Sequence, residues 1–315
     1  MRNLTQAPSP HIHDGSTVNR IMLDVIIALT PALVAAVIFF GPLALLLVAV
    51  TIFAAVFFEW ISRRMMKRDA SSVFDLTAVV TGLILALGIP ANVPLWIGAS
   101  SAFAAIVIAK QFFGGVGRNL LNPALIGHIV AMRLARRFMY PLGYPVAMNW
   151  TESLNYWGAD AVTMATPLQL LADGAALPSL WELFLGIHPG TMGETSVLAL
   201  FLGGAYLIWR RVISPVIPLT YIGTTLLVVA LAGQNPLIHL LSGGLVFVAI
   251  FMATDYTTSP INFEGRIIFG IGCGLITAWL RLFGSSTDGV TTALLVMNLL
   301  APFIEKLTLP KAFGQ

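Results

Sequence analysis

Long apolar runs restrict most strongly what this chain of 315 residues can fold into. About ten runs are long enough, or nearly so, to cross the ~30 Å hydrocarbon core of a bilayer at about 1.5 Å per helical residue. They cover residues 21–40, 42–61, 76–90, 94–113, 120–137, 195–210, 213–232, 236–253, 265–283 and 288–307. Only 10% of the residues are charged, against roughly 25% in soluble domains. The sequence therefore predicts an all-α polytopic membrane protein, with 76–90 and 236–253 short for a span.

A long polar interruption divides these runs into two sets of five. The predicted organisation is a cytoplasmic segment (1–20), a first five-helix repeat (21–137), an outer loop (138–194), a second five-helix repeat (195–307) and a cytoplasmic tail (308–315). An odd number of spans in each half would invert the second half relative to the first. Similar apolar stretches at 81–87 and 243–249 favour such a duplication.

The basic residues are distributed unevenly between the two sides of this arrangement. If both chain ends are cytoplasmic, that side collects all but four of the 17 lysines and arginines. The exceptions are Arg133, Arg136, Arg137 and Arg281. Because lysine and arginine concentrate in cytoplasmic loops, the loop 138–194 is predicted to face outward.

Other protein classes find little support in the sequence. Residues 9–15 are polar and no small-residue cleavage site follows the first apolar run, which argues against a signal peptide. The one cysteine, Cys273, excludes an intrachain disulfide and is interpreted as structural. No histidine, cysteine or carboxylate cluster has metal-site spacing, so no metal is expected. The isoelectric point of about 9.2 follows from the loop charges and indicates no nucleic-acid partner.

Several ionisable residues fall at membrane depth. Asp24 lies a few residues into the first run, and His128 and His239 lie in the fifth and eighth runs. Ionisable groups inside a membrane are costly and suggest function by default. A lone histidine in a helix bundle is more often hydrogen-bonded core than ligand. Asp24 is therefore the preferred candidate for an ion or proton pathway.

The outer loop contains the segment Asp160-Ala-Val-Thr-Met-Ala-Thr-Pro167. Thr166 as N-cap, Pro167 as the first helical residue and Gln169 as the reciprocal capping partner predict the start of a helix. A helix start directs free N–H groups and the positive end of the helix dipole outward, which suits a phosphate. An ordinary capped loop helix is the alternative interpretation.

The cluster Arg133, Arg136 and Arg137 borders this loop and runs against the expected charge distribution. Two interpretations remain open. The side chains either extend from the membrane interface into water, or they form a cationic seat for an anionic group.

Five separated stretches occur in the order typical of one known family. They are 9–12, 21–32, 117–124, 160–168 and 251–255. The chain resembles, over essentially its whole length, the family that contains the D subunits of the Rnf-type ion-translocating electron transport complexes and the B subunits of the sodium-translocating NADH:quinone reductases.

The resemblance implies a covalent flavin. In that family FMN is joined through its phosphate to the last threonine of an S/T-x-A-T motif, which Thr163, Met164, Ala165 and Thr166 supply here. Thr166 is the implied attachment point, Met164 departs from the frequent glycine, and Asp160 is included in the implied site. A phosphodiester there would lie at a helix start near Arg136 or Arg137. A second, non-covalent flavin (riboflavin) is also implied, and the sequence identifies no site for it.

The resemblance further implies a membrane subunit that relays electrons between ferredoxin and NAD, coupled to Na⁺ or H⁺ transport across the bacterial inner membrane. Implied partners are the A, B, C, E and G subunits of such a complex, a flavin transferase and membrane lipid. Two alternatives belong to other classes. One is a urea-channel-like solute transporter, which two inverted halves would also fit, and the other is an assembly subunit without a cofactor.

Overall fold

A computed structural model describes residues 17–67, 75–138, 144–145, 163–284 and 289–309 of the chain. Within these ranges nearly all regular structure is helical. Asp160, which was included in the implied flavin site, lies outside the described residues.

The first half contains five helical segments. They are α1 (Val18–Phe40), α2 (Pro42–Met65), α3 (Thr77–Leu87), α4 (Leu95–Phe103), which continues as the π-helix Ala104–Gln111, and α5 (Pro123–Phe138). Gly41 alone connects α1 to α2 and has a φ of 75°, a conformation that glycine adopts readily. Pro42 then begins α2, where its missing N–H costs nothing.

The segment between the halves contains little regular structure in its described part. Strand β1 (Tyr144–Pro145) pairs antiparallel with β2 (Thr163–Met164). Two short helices follow, α6 (Pro167–Ala172) and α7 (Leu180–Leu185). Both begin with a capping box, which Thr166 and Gln169 form at α6. The predicted helix start at Thr166 is confirmed.

The described part of the second half contains six α-helices and a π-helix. Its elements are α8 (Val197–Trp209), α9 (Val216–Leu231), α10 (Pro236–Leu241), α11 (Leu245–Phe247), which continues as the π-helix Val248–Met252, α12 (Phe263–Phe283) and α13 (Gly289–Leu307). The run 236–253 is thus a broken helix, interrupted at Ser242, Gly243 and Gly244.

Among the described residues, four helices are long and apolar enough to cross a membrane, namely α1, α2, α12 and α13. Shorter apolar helices occupy Thr77–Leu87, Leu95–Gln111, Val197–Trp209 and Val216–Leu231. An 11-residue helix such as α3 rises only about 16 Å, half of a bilayer core. The helical membrane class is confirmed, and the number of ten spans remains a prediction.

Small residues allow the helices of the two halves to approach closely. In α8, a Cβ at Gly203 would collide with the backbone oxygen of Ala28 in α1, so only glycine fits there. In α12, Cβ atoms at Gly270 and Gly274 would meet Thr220 and Thr224 of α9. Because the hydrophobic effect does not drive helices together within lipid, close van der Waals contacts of this kind stabilise the packing.

Candidate functional site

Thr166 lies at the junction between the short β pairing and α6. Its φ and ψ of −66° and 157° are extended, and the Gln169 N–H donates to its hydroxyl oxygen over 3.4 Å. In return, the Thr166 N–H donates to Gln169 Oε1 over 3.1 Å. Thr166 is half-buried, as is Ala165. The geometry fixes the backbone around a hydroxyl that remains accessible.

Helix α6 is held against the broken helix of the second half. Leu168 of α6 is 7% exposed, and a Cβ added to Gly243 would lie 2.7 Å from Leu168 Cδ1. Gly243 has a φ of 63°, a conformation that favours glycine, and a larger side chain there would displace Leu168. The interruption of the apolar run 236–253 therefore forms the seat of the helix that carries Thr166.

A pocket opens beside Thr166 and Leu168, with about 550 Å³ of empty space. One wall is the interruption at Gly243 and Gly244, with Phe247, Val248 and Met252 below it. The other lining residues are Gly88, His128, Glu194, Val290 and Thr291. The pocket is thus built from both halves of the chain, and Thr166 lies at it.

The segment that leads into α8 closes one side of this pocket. The Gly193 N–H donates to the Leu87 carbonyl over 2.6 Å, and the Met192 N–H donates to the Ile89 carbonyl over 3.3 Å. These bonds attach the segment to the end of α3 and position Glu194 at the pocket.

The buried ring of His188 braces the same segment. Its Nδ1 and Nε2 face the carbonyls of Pro189 at 3.0 Å and Thr195 at 3.2 Å. Burial lowers the pKa of His188, and this effect outweighs the two carbonyl contacts, which raise it. His188 is therefore neutral near pH 7, with one of its two nitrogens donating a hydrogen bond.

The other residues predicted for the flavin site lie apart from the pocket lining. Arg136 and Arg137 are exposed in the last turn of α5, where α5 ends at Phe138. The backbone of Thr163 pairs with Pro145 across the two strands. The cationic seat at α5 therefore stays a prediction.

Asp24, the predicted ion-pathway residue, connects the two halves. It accepts a hydrogen bond from the Tyr206 hydroxyl over 2.7 Å and contacts the Arg210 guanidinium at 3.3 Å through both carboxylate oxygens. Asp24 is 7% exposed. Its role in an ion pathway stays a prediction, and the structure adds an ion pair between α1 and the end of α8.

A second and larger pocket lies toward the opposite end of α3. It has about 1130 Å³ of empty space and is mostly apolar, with polar groups from Thr77, Lys110, Asn119, Asn122 and Asp255. Asp255 accepts hydrogen bonds from the hydroxyls of Thr257 at 2.9 Å and Thr258 at 3.1 Å. Burial raises the pKa of Asp255 despite these bonds.

A buried ionic network adjoins the larger pocket and was missed by the sequence reasoning. Glu59 is fully buried in α2, and Lys110 Nζ lies 2.6 Å from its carboxylate. Arg63 and Gln111 each donate to the other carboxylate oxygen over 3.2 Å, and Lys110 also donates to Thr77. A carboxylate within the apolar run 42–61 was the available signal, because such groups inside a membrane span are costly.

The residues beside Thr166 suit a flavin mononucleotide attached there through its phosphate. Thr166 is half-buried and lines a pocket whose empty space is continuous with the solvent, so a group attached to its hydroxyl can extend outward as well as along the pocket. Thr166, Leu168 and the glycines of the interruption would hold the group.

Fold and site together define a helical membrane protein that carries a half-buried threonine at a pocket lined by residues from both halves of the chain. A family model for the NQR2, RnfD, RnfE family matches residues 5–314. The chain belongs to this family.

Three relatives show how far the similarity extends. The D subunit of the Na(+)-translocating ferredoxin:NAD(+) oxidoreductase complex of Acetobacterium woodii is 43% identical over 316 residues, covering 99% of this chain and 96% of the relative. The D subunit of the proton-translocating ferredoxin:NAD(+) oxidoreductase complex of Clostridium ljungdahlii is 38% identical, with 98% and 96% covered. The D subunit of the ion-translocating oxidoreductase complex of Stutzerimonas stutzeri is 37% identical, with 95% and 93% covered.

Proposed function

We propose that the chain is the membrane-embedded D subunit of an ion-translocating ferredoxin:NAD⁺ oxidoreductase complex and carries FMN esterified through its phosphate to Thr166. The observation that carries the flavin assignment is the accessible Thr166 hydroxyl beside a pocket that both halves build. Membership of the family and the names of its relatives support the complex. Other subunits of the complex and a flavin transferase are the partners that this assignment requires.

The residues of the chain would position the flavin rather than supply its redox chemistry. The bound flavin would accept electrons from one partner and pass them to another. The capping box fixes the backbone at Thr166, while Leu168 anchors α6 against Gly243. A covalent bond keeps the cofactor from loss by dilution and holds it at working distance.

The larger pocket is the proposed site of the non-covalent flavin, riboflavin. Its cavity is the larger of the two, and its mostly apolar walls suit a planar ring. Lys110, Asn119 and Asp255 offer the few polar groups that orient a ligand in such a pocket.

The finer topology is part of the same proposal. The chain would cross the bacterial inner membrane about ten times, with its termini cytoplasmic and Thr166 at the outer face. The two halves would be inverted repeats. Equivalent packing supports this arrangement, since α2 packs on α4 in the first half and α9 packs on α12 in the second.

In-gel fluorescence of the denatured chain tests the flavin assignment. The chain is produced together with a flavin transferase and examined for a fluorescent band that survives SDS and for a mass gain of FMN minus water. We expect both in the unchanged chain, in Thr163→Ala and in Thr166→Ser. We expect neither in Thr166→Ala.

Thr166→Asn is the matched control, because asparagine caps a helix as well as threonine does but offers no hydroxyl. Loss of the band in Thr166→Asn together with normal folding would separate attachment from capping. A band retained in Thr166→Ala would reject the assignment of Thr166. An unmodified, colourless wild-type chain would leave the solute transporter and the cofactor-free assembly subunit as the surviving functions.

A further inference from the structure

A half-buried arginine, whose Nε atom is enclosed, lies behind the interruption of the broken helix. Arg281 of α12 donates from Nη1 to the His239 carbonyl over 2.7 Å and from Nη2 to the Ser242 carbonyl over 3.2 Å. These carbonyls belong to the last turn and C-cap of α10. Arg281 was counted in the sequence only as an exception to the charge distribution, and its position beside the flavin loop was not foreseen.

The charge of Arg281 has no acidic partner at ion-pair distance among the described residues. Guanidinium groups stay protonated in proteins, and a buried charge without a counter-charge is costly. Glu194, which lines the pocket, acts on Arg281 electrostatically. Within the described part of the chain, the charge is balanced at close range by the carbonyls of His239 and Ser242.

Three buried polar atoms in this cluster also have no hydrogen-bond partner among the residues that the structure describes. They are Arg281 Nε, His239 Nδ1 and Ser242 Oγ. Buried polar atoms are almost always hydrogen-bonded, and such exceptions point to a ligand or ordered water. Two of these atoms can donate to an oxygen whatever the tautomer of the histidine.

The cluster is adjacent to the helix that begins at Thr166, and its three residues are not among those that line the smaller pocket. A Cβ placed on Gly243 would lie 3.2 Å from Arg281 Nη2 and 2.7 Å from Leu168 Cδ1. Gly243, Leu168 and Thr166 all line the smaller pocket. Arg281 therefore lies one glycine away from the helix that begins at Thr166.

We propose that Arg281 is the positioning cation for the phosphodiester that joins FMN to Thr166. The inference rests on the proposed attachment at Thr166 and assigns to α12 the cationic role that the sequence placed on Arg136 or Arg137 of α5. The guanidinium, fixed by two carbonyls, presents its remaining N–H groups to phosphate oxygens, and charge-assisted bonds of this kind are the strong ones. The flavin is held in the pocket by this contact as well as by its covalent bond.

The experiment measures flavin docking separately from flavin attachment. The full chain is purified with its flavin in detergent, and quenching of flavin fluorescence by neutral acrylamide reports how much flavin is exposed. The variants are Arg281→Gln, Arg281→Lys and, as the matched control on α5, Arg137→Gln. The fluorescent band in SDS reports attachment in each variant.

We expect Arg281→Gln to keep the SDS-stable band while the ratio of exposed to docked flavin rises about tenfold, as loss of a charge-assisted bond implies. Arg281→Lys retains a point charge and should give a smaller rise. Arg137→Gln should quench as the unchanged chain does. Unchanged quenching in Arg281→Gln, or an equal rise in Arg137→Gln, would overturn the proposal.

A double-mutant cycle of melting temperatures distinguishes the proposed phosphate contact from a purely structural role of Arg281. If Arg281 only caps α10, then Arg281→Gln lowers the melting temperature equally in the flavin-bearing chain and in Thr166→Asn. The phosphate contact instead requires a larger loss in the flavin-bearing chain, because coupled sites are not additive. Should Arg281→Gln fail to fold, Arg281→Lys is put through the same cycle, and equal losses there refute the proposal. A flavin-free wild-type chain would instead refute the proposed function, and the role of Arg281 with it.

Discussion

Asp24 shows how a residue predicted for function can also connect two parts of a fold. Its carboxylate accepts from Tyr206 and pairs with Arg210, so α1 of the first half is attached to the end of α8. The Arg210 side chain is one-third exposed, which places the pair between surface ion pairs of small effect and buried pairs of large effect.

We therefore expect Asp24→Asn and Arg210→Met each to lower the free energy of unfolding modestly, and the double variant to lose less than the sum. Thermal unfolding of the chain in detergent measures this. If Asp24 lies on the ion pathway, ion transport by the assembled complex should fall in Asp24→Asn and persist in Arg210→Met. Equal transport losses in the two variants would leave Asp24 only its structural role.

Among the elements, the packing of α6 against the broken helix shows which features can be predicted from the sequence and which cannot. The start of α6 was predictable because the residues of a capping box are neighbours in sequence. The seat of α6 was not, since the contact between Leu168 and Gly243 joins residues far apart in the chain. The same holds for Lys110, which looks like a loop-flanking cation in sequence but reaches back to Glu59.

Alanine substitutions at two glycines distinguish an effect on the docking of α6 from an effect of backbone strain alone. Gly243 and Gly233 both have positive φ, at 63° and 78°, but a Cβ at Gly233 has no neighbour within 4 Å. Alanine at either position should cost about 1–2 kcal/mol for the left-handed backbone. At Gly243, crowding of Leu168 should add about 1–3 kcal/mol.

Hydrogen exchange identifies the element that is released. In Gly243→Ala the amides of residues 170 and 173, which bond to the carbonyls of Thr166 and Gln169, should exchange faster than in Gly233→Ala. Equal exchange in the two variants would mean that Leu168 does not depend on the glycine seat. The proposed flavin pocket would then need another anchor.

At the scale of the whole molecule, the two pockets lie near opposite ends of α3, since Gly88 lines the smaller pocket and Thr77 the larger. The α3 helix between them rises only about 16 Å. Short and broken helices thus bring the two pockets closer together than full-length spans would. Electron transfer depends on such proximity, and two inverted halves would place one pocket toward each face of the membrane.

Inversion of the halves makes a direct prediction about accessibility. Met66 follows the second segment of the first half and Ala232 follows the second segment of the second half, so inverted repeats place these equivalent positions on opposite sides. Ala176 should share the outer side with Ala232, and Ile261 should share the inner side with Met66. All four are exposed.

Single-cysteine labelling tests this prediction. The native Cys273 is buried, and it is replaced by serine so that each variant carries only the introduced cysteine. A membrane-impermeant maleimide should label Ala176→Cys and Ala232→Cys in right-side-out vesicles, and Met66→Cys and Ile261→Cys in inside-out vesicles. Met66 and Ala176 are separated by α3, α4 and α5. Labelling of these two positions on opposite sides therefore requires an odd number of membrane crossings between them. Three crossings, with the short α3 counted as one, would satisfy this. Labelling of Met66→Cys and Ala232→Cys from the same side would rule out inverted halves. Labelling of Ala176→Cys only in inside-out vesicles would place the proposed flavin loop in the cytoplasm.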